Sequence, residues 1–260
     1  MPTATHGDVS LYYDTGGSGE AVVFVGDVGY GAWQWGWQYP AVAGPFRAVV
    51  TDLRGAGRSD VPPGPYSVAA LADDVAAVLR EAGERRAHVV GAGLGGMVAL
   101  HLALSTGRVA SLTLLAGAAA GDDLDLEPLF GAPDDPAALR ESLAAALSAD
   151  FRAAHPEAVE RIVAWRGDED ASRDAWEAQV AAVRAFDARD RLHEVTIPAL
   201  VVHGRDDAAW PVGGGRKLAE GLPRGEFLPV DGAGHLVGVE ASGYVDDELL
   251  GFLESSSASE

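Results

Sequence analysis

Three short stretches of this chain, each beginning with glycine, contain residue types that can do chemistry. Residues 91–95 have glycine at every second position, residues 204–207 end in two carboxylates, and residues 232–235 end in an imidazole. A histidine paired with a carboxylate can accept and donate protons near neutral pH. The alternative for His235 is a loop histidine without a catalytic role. The sequence contains no cysteine, which excludes a thiolate nucleophile and a disulfide framework.

Mainly apolar runs that predict strands come directly before these stretches. They span residues 88–90, 199–203 and 227–230, and similar runs cover 21–25, 46–51 and 109–115. Continuous apolar runs are typical of strands that are buried on both faces of a parallel sheet. Apolar residues at helical spacing, such as Leu71, Val75 and Val78, lie between several of the runs. This alternation predicts an α/β fold with helices on both faces of the sheet.

The order of these motifs resembles that of the α/β-hydrolase family, over nearly the whole chain. In that family a strand, a tight turn that reads G-x-S-x-G and a helix carry the nucleophilic serine. The residues that carry the resemblance are Asp52-Leu53-Arg54-Gly55 with Gly57 and Ser59, the frame Gly91-x-Gly93-x-Gly95, Phe186-Asp187 before Ile197-Pro198, Gly204-Arg205-Asp206-Asp207 and Gly232-Ala233-Gly234-His235. Each motif alone is weak, but together they indicate the esterase and enol-lactonase type that carries a lid. The implied fold is a mostly parallel central sheet flanked by helices.

One long segment interrupts the alternation of strands and helices. Helical patterns cover residues 136–147, 156–165 and 171–186, and no strand-like run separates them. We therefore predict a single-domain core formed by residues 1–116 and 192–260, with residues 117–191 inserted as a helical lid. Such a lid would cover the edge of the sheet at which ligands bind in open α/β folds.

The resemblance assigns roles to three positions. His235 lies where the family has its catalytic histidine, and Asp207 lies where its carboxylate orients and stabilises that histidine. Asp206 competes for the second role, but a solvated charge is the better interpretation of it. Gly93 stands where the family has its serine, so the nucleophile position is vacant and an acyl-enzyme at this position is excluded. The pair His235–Asp207 would then be a general base without a serine.

The loop after the strand at residues 21–25 also departs from the family pattern. The family has His-Gly where this chain has Gly26-Asp27, and Val28 follows. The backbone N–H groups of Val28 and Leu94 are the candidate oxyanion donors. Asp27 would oppose negative charge on a substrate oxygen if it faces the pocket; alternatively it points to solvent or caps a turn.

Two tryptophans are candidates for the pocket wall. Trp33 follows the same loop, although packing in the core is the more common role for a residue of this kind. Trp210 comes three residues after Asp207 and is the better candidate. A metal site formed by Asp27, Asp207 and His235 lacks any supporting ligand spacing, so we predict neither a metal nor another cofactor.

The net charge of this chain is strongly negative. It has 39 acidic and 19 basic residues, which gives a formal net charge of −20. Such a surface repels nucleic acid and anionic membranes, so a small molecule is the expected partner. We predict a salt-adapted protein that is a monomer or homodimer; an acidic protein from a GC-rich mesophile is the alternative. No signal-peptide pattern and no apolar run of roughly 18 residues occurs, which favours a cytoplasmic location.

Three functional hypotheses follow. The first is an enzyme that acts on a small ester, lactone or carbonyl substrate through His235 and Asp207. The second is a catalytically inactive binding or regulatory protein, with a ligand in the space that Gly93 leaves open. The third is a serine hydrolase with a relocated nucleophile, and nothing in the sequence supports it. The retained pair, the lid and the aromatic residues favour the first hypothesis.

Overall fold

The computed structural model describes residues 2–257, and its centre is a sheet of eight strands. The strands are β1 (Thr3–His6), β2 (Val9–Gly16), β3 (Ala21–Val25), β4 (Arg47–Thr51), β5 (Ala87–Ala92), β6 (Val109–Leu115), β7 (Ala199–Gly204) and β8 (Gly225–Val230). Their order in the sheet is β1-β2-β4-β3-β5-β6-β7-β8. The pairs β1–β2 and β2–β4 are antiparallel, and all other pairs are parallel. The predicted mostly parallel central sheet is confirmed.

Helices cover both faces of the sheet, which explains the continuous apolar runs. Residues 2–257 form the α-helices α1 (Gln38–Val42), α2 (Val68–Glu81), α3 (Leu94–Ser105), α4 (Pro136–Ala146), α5 (Ala149–Ala154), α6 (Pro156–Glu169), α7 (Arg173–Ala185), α8 (Val212–Gly221), α9 (Val237–Glu240) and α10 (Ser242–Ser257). The alternating side chains of β3 belong to separate cores. Val23 lies in the core that includes residues of α2, α3 and α8, whereas Phe24 lies in the core that includes residues of α1 and α10. None of the helices within residues 2–257 has the length and apolar character needed to cross a membrane.

The turn between β5 and α3 requires glycine for steric reasons. Gly93 has a φ of +47°, a conformation that residues with a Cβ rarely adopt. A Cβ atom at Gly95 would lie 2.0 Å from the carbonyl oxygen of Val25, so this position admits no side chain. The start of α3 can therefore approach the end of β3 closely. This approach brings the loop after β3 and the turn after β5 into one site.

The segment of residues 117–191, between β6 and β7, contains helices α4 to α7 and packs on the loop after β3. Glu169 and Asp170, at the end of α6, accept hydrogen bonds from the backbone N–H and the indole Nε1 of Trp33, at 2.9 and 2.8 Å. The Gln179 amide in α7 accepts a bond from the N–H of Gly29 at 2.7 Å and donates one to the carbonyl of Arg54 at 2.8 Å. We call residues 117–191 the helical segment; that it opens as a lid stays a prediction.

Candidate active site

Asp207 and His235 lie in the loops that follow the neighbouring strands β7 and β8. The Nδ1 atom of His235 is 2.9 Å from Oδ2 of Asp207. Oδ1 of Asp207 accepts bonds from the N–H groups of Ala209 and Trp210 at 3.0 and 2.8 Å. Burial alone would raise the pKa of Asp207, but the charge of His235 and hydrogen bonds from His203, His235 and Trp210 hold it well below its ordinary value. Asp207 is therefore an anion that fixes the ring of His235.

Asp27 faces the site, and its carboxylate lies beside Gly93. A Cβ atom at Gly93 would be 1.9 Å from Oδ1 of Asp27 and 2.2 Å from its Cγ. Both distances are far below van der Waals contact, so the carboxylate occupies the space where a residue other than glycine would place its side chain. Asp27 takes the place that a serine would need at position 93.

The carboxylate of Asp27 has a different set of partners on each oxygen. Oδ1 accepts hydrogen bonds from the backbone N–H of Val28 at 2.6 Å and of Leu94 at 2.8 Å. Oδ2 lies 2.6 Å from Nε2 of His235. The two N–H groups considered as oxyanion donors therefore bind one oxygen, and that oxygen belongs to Asp27.

Because two carboxylates contact it, His235 carries a proton on each nitrogen of its ring. Burial alone would lower the pKa of His235, but Asp207 and Asp27 outweigh this effect and raise the pKa to about 10. The ring of Trp210 stacks on the imidazole with 6.0 Å between ring centroids. At neutral pH the three groups form an imidazolium between two carboxylates. This differs from the expected base near neutral pH, because a second carboxylate holds Nε2.

Comparisons with known proteins agree with the fold. A sequence model described as alpha/beta hydrolase fold matches residues 24–242. The chain belongs to the α/β-hydrolase fold family. The resemblance inferred from the motifs is confirmed.

Relatives of this α/β-hydrolase are similar over almost their full length. A putative carbamate hydrolase RutD of Azorhizobium caulinodans is 32% identical, with 97% of this chain and 98% of that protein covered. The RutD of Variovorax paradoxus is 35% identical over 95% and 97%. Among solved structures, Est816, an N-acyl homoserine lactone degrading enzyme, has a TM-score of 0.85 and 30% identity, covering 96% and 100%. The enol-lactonase of Burkholderia xenovorans LB400 has a TM-score of 0.88 at 24% identity, covering 97% and 100%, and shows the fold alone.

The reactive groups of this α/β-hydrolase are enclosed. Asp27, His235 and Asp207 are 1%, 3% and 6% exposed. The void that adjoins His235 has a volume of about 10 Å³, which is too small for a substrate. A cavity of about 500 Å³ is bounded by Trp210 but by none of these three residues. A substrate can therefore reach His235 only after part of the structure moves.

The two candidate wall residues differ in their surroundings. Trp33 is buried, and its ring packs 5.1 Å from that of Tyr30 while its Nε1 binds Asp170. It thus joins the loop after β3 to the end of α6. Trp210 contacts His235 with its ring and also bounds the larger cavity. Of the two, Trp210 separates the reactive groups from this cavity.

The three residues considered as a metal site do come together, but in another arrangement. The imidazole lies between the carboxylates, with one nitrogen bonded to each. A metal ion would need a free nitrogen lone pair facing the same point as the oxygens. Across residues 2–257, no group of three His, Cys, Asp or Glu side chains is arranged to hold a metal ion.

Sequence reasoning did not find the residues that position Asp27. The Gln34 side chain accepts a hydrogen bond from the N–H of Asp27 at 2.8 Å and so fixes the backbone of the loop. The buried Arg166 binds Asp170 at 2.6 Å and Ser142 at 2.7 Å, and Asp170 in turn accepts the bond from Trp33 on this loop. Neither residue belongs to a motif. An arginine one helical turn after Ile162, on a predicted apolar face, is the single signal that sequence offers.

Proposed function

We propose that the protein is a hydrolase of a small, uncharged organic substrate, and that it works through His235 and Asp207 without a serine nucleophile. The observation that carries the proposal is the position of Asp27. Its carboxylate lies where Gly93 lacks a side chain and contacts His235 and both N–H donors. His235, Asp207 and the two N–H donors are the groups that a hydrolytic site needs besides a serine. All are present, and each has a hydrogen-bond partner.

The expected substrate class follows from charge and from the relatives. Two carboxylates and one imidazolium give the site a net charge of −1, which disfavours anionic substrates. The names of the relatives refer to carbamate and lactone hydrolysis. Neutral esters, lactones and carbamates are the substrates that we propose to test first.

For such carbonyl substrates, the general-base route requires Asp27 to leave its position. Its departure would free the N–H groups of Val28 and Leu94 for the substrate oxygen. It would also remove one of the two carboxylates that raise the pKa of His235, so the imidazole could then deprotonate water. Movement of the helical segment would admit the substrate.

The test is a hydrolysis panel of neutral esters, lactones and carbamates in molar potassium chloride. We expect saturable turnover by the wild type and a loss of at least about 100-fold in His235→Gln. His193→Gln, which changes an exposed histidine, is the matched control and should retain full activity. Equal turnover by wild type and His235→Gln would contradict the proposal.

A second candidate function is ligand binding without catalysis, and the enclosure of the site favours it. The cavity of about 500 Å³ beside Trp210 is large enough for a small ligand and is separate from His235. This candidate predicts no turnover of any substrate in the panel. It also predicts that ligands which raise the melting temperature do so equally in wild type and His235→Gln.

A further inference from the structure

His203 is a second buried histidine beside Asp207. It is the last residue but one of β7, and its exposed fraction is 0%. Its Nε2 atom lies 2.6 Å from the carbonyl oxygen of Trp210. A carbonyl oxygen can only accept a hydrogen bond, so Nε2 carries a proton. The contact therefore determines which nitrogen of this ring is the donor.

The same N–H group faces the carboxylate of Asp207. Nε2 of His203 lies 3.3 Å from Oδ2, the oxygen that is also 2.9 Å from Nδ1 of His235. The other oxygen, Oδ1, accepts bonds from the backbone N–H groups of Ala209 and Trp210. Two histidines therefore share one oxygen of Asp207, and the backbone holds the other.

Helix α8 packs against the other edge of the His203 ring. In the part of the chain that the structure describes, Nδ1 of His203 has no hydrogen-bond partner. A Cβ atom at Gly215 would lie 2.2 Å from Nδ1, so glycine lets the helix backbone pack directly on the ring. The ring therefore acts through Nε2, which contacts Asp207 and Trp210.

We propose that His203 is a positioning residue of the active site, whose Nε2–H group shares Oδ2 of Asp207 with His235 and so limits how tightly Asp207 holds the proton of His235. A carboxylate that accepts one hydrogen bond is a weaker acceptor for the next donor, because its charge is already stabilised. The inference rests on the proposed function and deepens it, since it names a residue that lets His235 act as a base.

The general-base route needs this limit once Asp27 has moved. Burial alone would lower the pKa of His235, but Asp207 and Asp27 outweigh it and raise the pKa to about 10. Departure of Asp27 removes one carboxylate, while Asp207 stays on Nδ1. An imidazolium that is held too tightly cannot become the base that deprotonates water. The hydrogen bond from His203 reduces this hold.

Two further elements bring titratable groups to this site. Asp27, in the loop after β3, contacts Nε2 of His235 at 2.6 Å. Tyr30 is buried in the same loop, and burial raises the pKa of its hydroxyl, which stays neutral below pH 10. Glu240, in α9, accepts a bond from the N–H of Gly234, next to His235 in the chain. These groups are the same in all variants compared below.

The first test is a ¹³C-detected titration of His235, which requires no turnover. The parent is Asp27→Asn, in which Asp207 is the one carboxylate that contacts His235. His203→Phe keeps a ring but removes the donor, whereas His203→Gln restores an N–H donor. We expect the midpoint to rise by about one pH unit in His203→Phe and to return towards the parent value in His203→Gln.

A matched control and a measurement without substitution at position 203 accompany this titration. His193→Phe makes the same change at an exposed histidine and should titrate like the parent. In the parent itself, the ¹⁵Nε2 resonance of His203 should change with the midpoint of His235, because both rings donate to Oδ2 of Asp207. This measurement tests the shared oxygen even if His203→Phe does not fold.

The second test is the pH profile of kcat for a substrate of the panel, with Asp27 intact. This profile reports the groups of the substrate complex, in which Asp27 has moved. In His203→Phe the acidic limb should move up by about one pH unit, so kcat below the limb should fall about tenfold while the plateau is kept. A merely structural role would lower the plateau and leave the limb in place.

The two tests separate this inference from the proposed function. Equal titrations of His235 in the parent and His203→Phe, or a His203 resonance that ignores the titration of His235, would overturn the inference. A shift in His203→Gln as large as that in His203→Phe would also overturn it. Absence of turnover across the panel, together with the expected titrations, would overturn the proposed function alone and support the effect of His203 on His235.

Discussion

The carboxylate of Asp27 and the α-carbon of Gly93 share one space, since a Cβ atom at position 93 would lie 1.9 Å from Oδ1. The two residues are 66 positions apart in the sequence. Each departure from the family pattern therefore explains the other. The glycine removes the serine, and the aspartate fills the volume that the serine would have needed.

Restoring the serine should require two substitutions. Gly93→Ser alone should destabilise the fold by about 1–3 kcal/mol, because its side chain meets the carboxylate and the backbone is strained. It should not hydrolyse p-nitrophenyl acetate. Asp27→Gly/Gly93→Ser should regain stability relative to Gly93→Ser and hydrolyse the ester through the new serine. Urea denaturation and initial rates test this, with Asp27→Gly as the control; ester hydrolysis by Gly93→Ser alone would contradict it.

The proton on His235 should make stability depend on pH. The folded-state pKa of about 10 is above the unfolded value of about 6.5, so this stabilisation is full below about pH 6.5 and is lost as pH rises towards 10. The difference in unfolding free energy between wild type and His235→Gln should shrink over this range. In Asp27→Asn one carboxylate is neutral, so the ¹³C-detected titration of His235 should move to lower pH. An unchanged titration would show that Asp27 does not bind the imidazolium.

Arg166 should matter more to stability than an exposed arginine with a similar ion pair. It is buried, and its guanidinium binds Asp170, Ser142 and the carbonyl of Leu129. Arg166→Met should cost about 3–5 kcal/mol, because it leaves Asp170 buried without its partner. Arg166→Met/Asp170→Asn should recover part of this loss. Arg140→Met, at the exposed pair with Glu160, should barely change the denaturation midpoint. Equal midpoints for the two single variants would contradict the buried pair.

The net charge should make stability depend on salt. At a formal net charge of −20, repulsion between like charges opposes folding. Salt screens this repulsion, with a Debye length of about 10 Å at 0.1 M and about 3 Å at 1 M. We expect the melting temperature to rise steeply between 0.1 and 2 M potassium chloride. Sucrose at a concentration of matched osmolality controls for general solvent effects. A melting temperature that does not depend on salt would favour the alternative, an acidic protein from a GC-rich mesophile.

Apolar patterns were sufficient to predict strands β3 to β8 and most of the helical segment, but β1 was not predicted. The runs at residues 21–25 and 109–115 coincide with β3 and β6, and the helical pattern at 156–165 lies within α6. Helix α5 was missed because six residues provide too little periodicity to recognise. Long apolar elements can be predicted because their burial depends on the local pattern of the chain.

The role of Asp27 could not be predicted in the same way. Its partners are the N–H of Leu94 and the ring of His235, which come from other elements of the fold. Sequence allows the carboxylate to face solvent, cap a turn or face the pocket, and only the close approach of α3 to β3 selects the last. The raised pKa of His235 follows from Asp207 together with that contact. The sequence therefore does not predict how far the pKa of His235 is raised, because it does not predict this contact.

The overlap at Gly93 also fixes the order in which the two arrangements can be exchanged. A protein with aspartate at position 27 and serine at 93 would place two side chains in one volume. A protein with glycine at both positions has an open space and no clash. A stepwise exchange, in evolution or in the laboratory, therefore passes through the double glycine. That intermediate has His235, Asp207 and free oxyanion donors, with neither the Asp27 carboxylate nor a serine beside them.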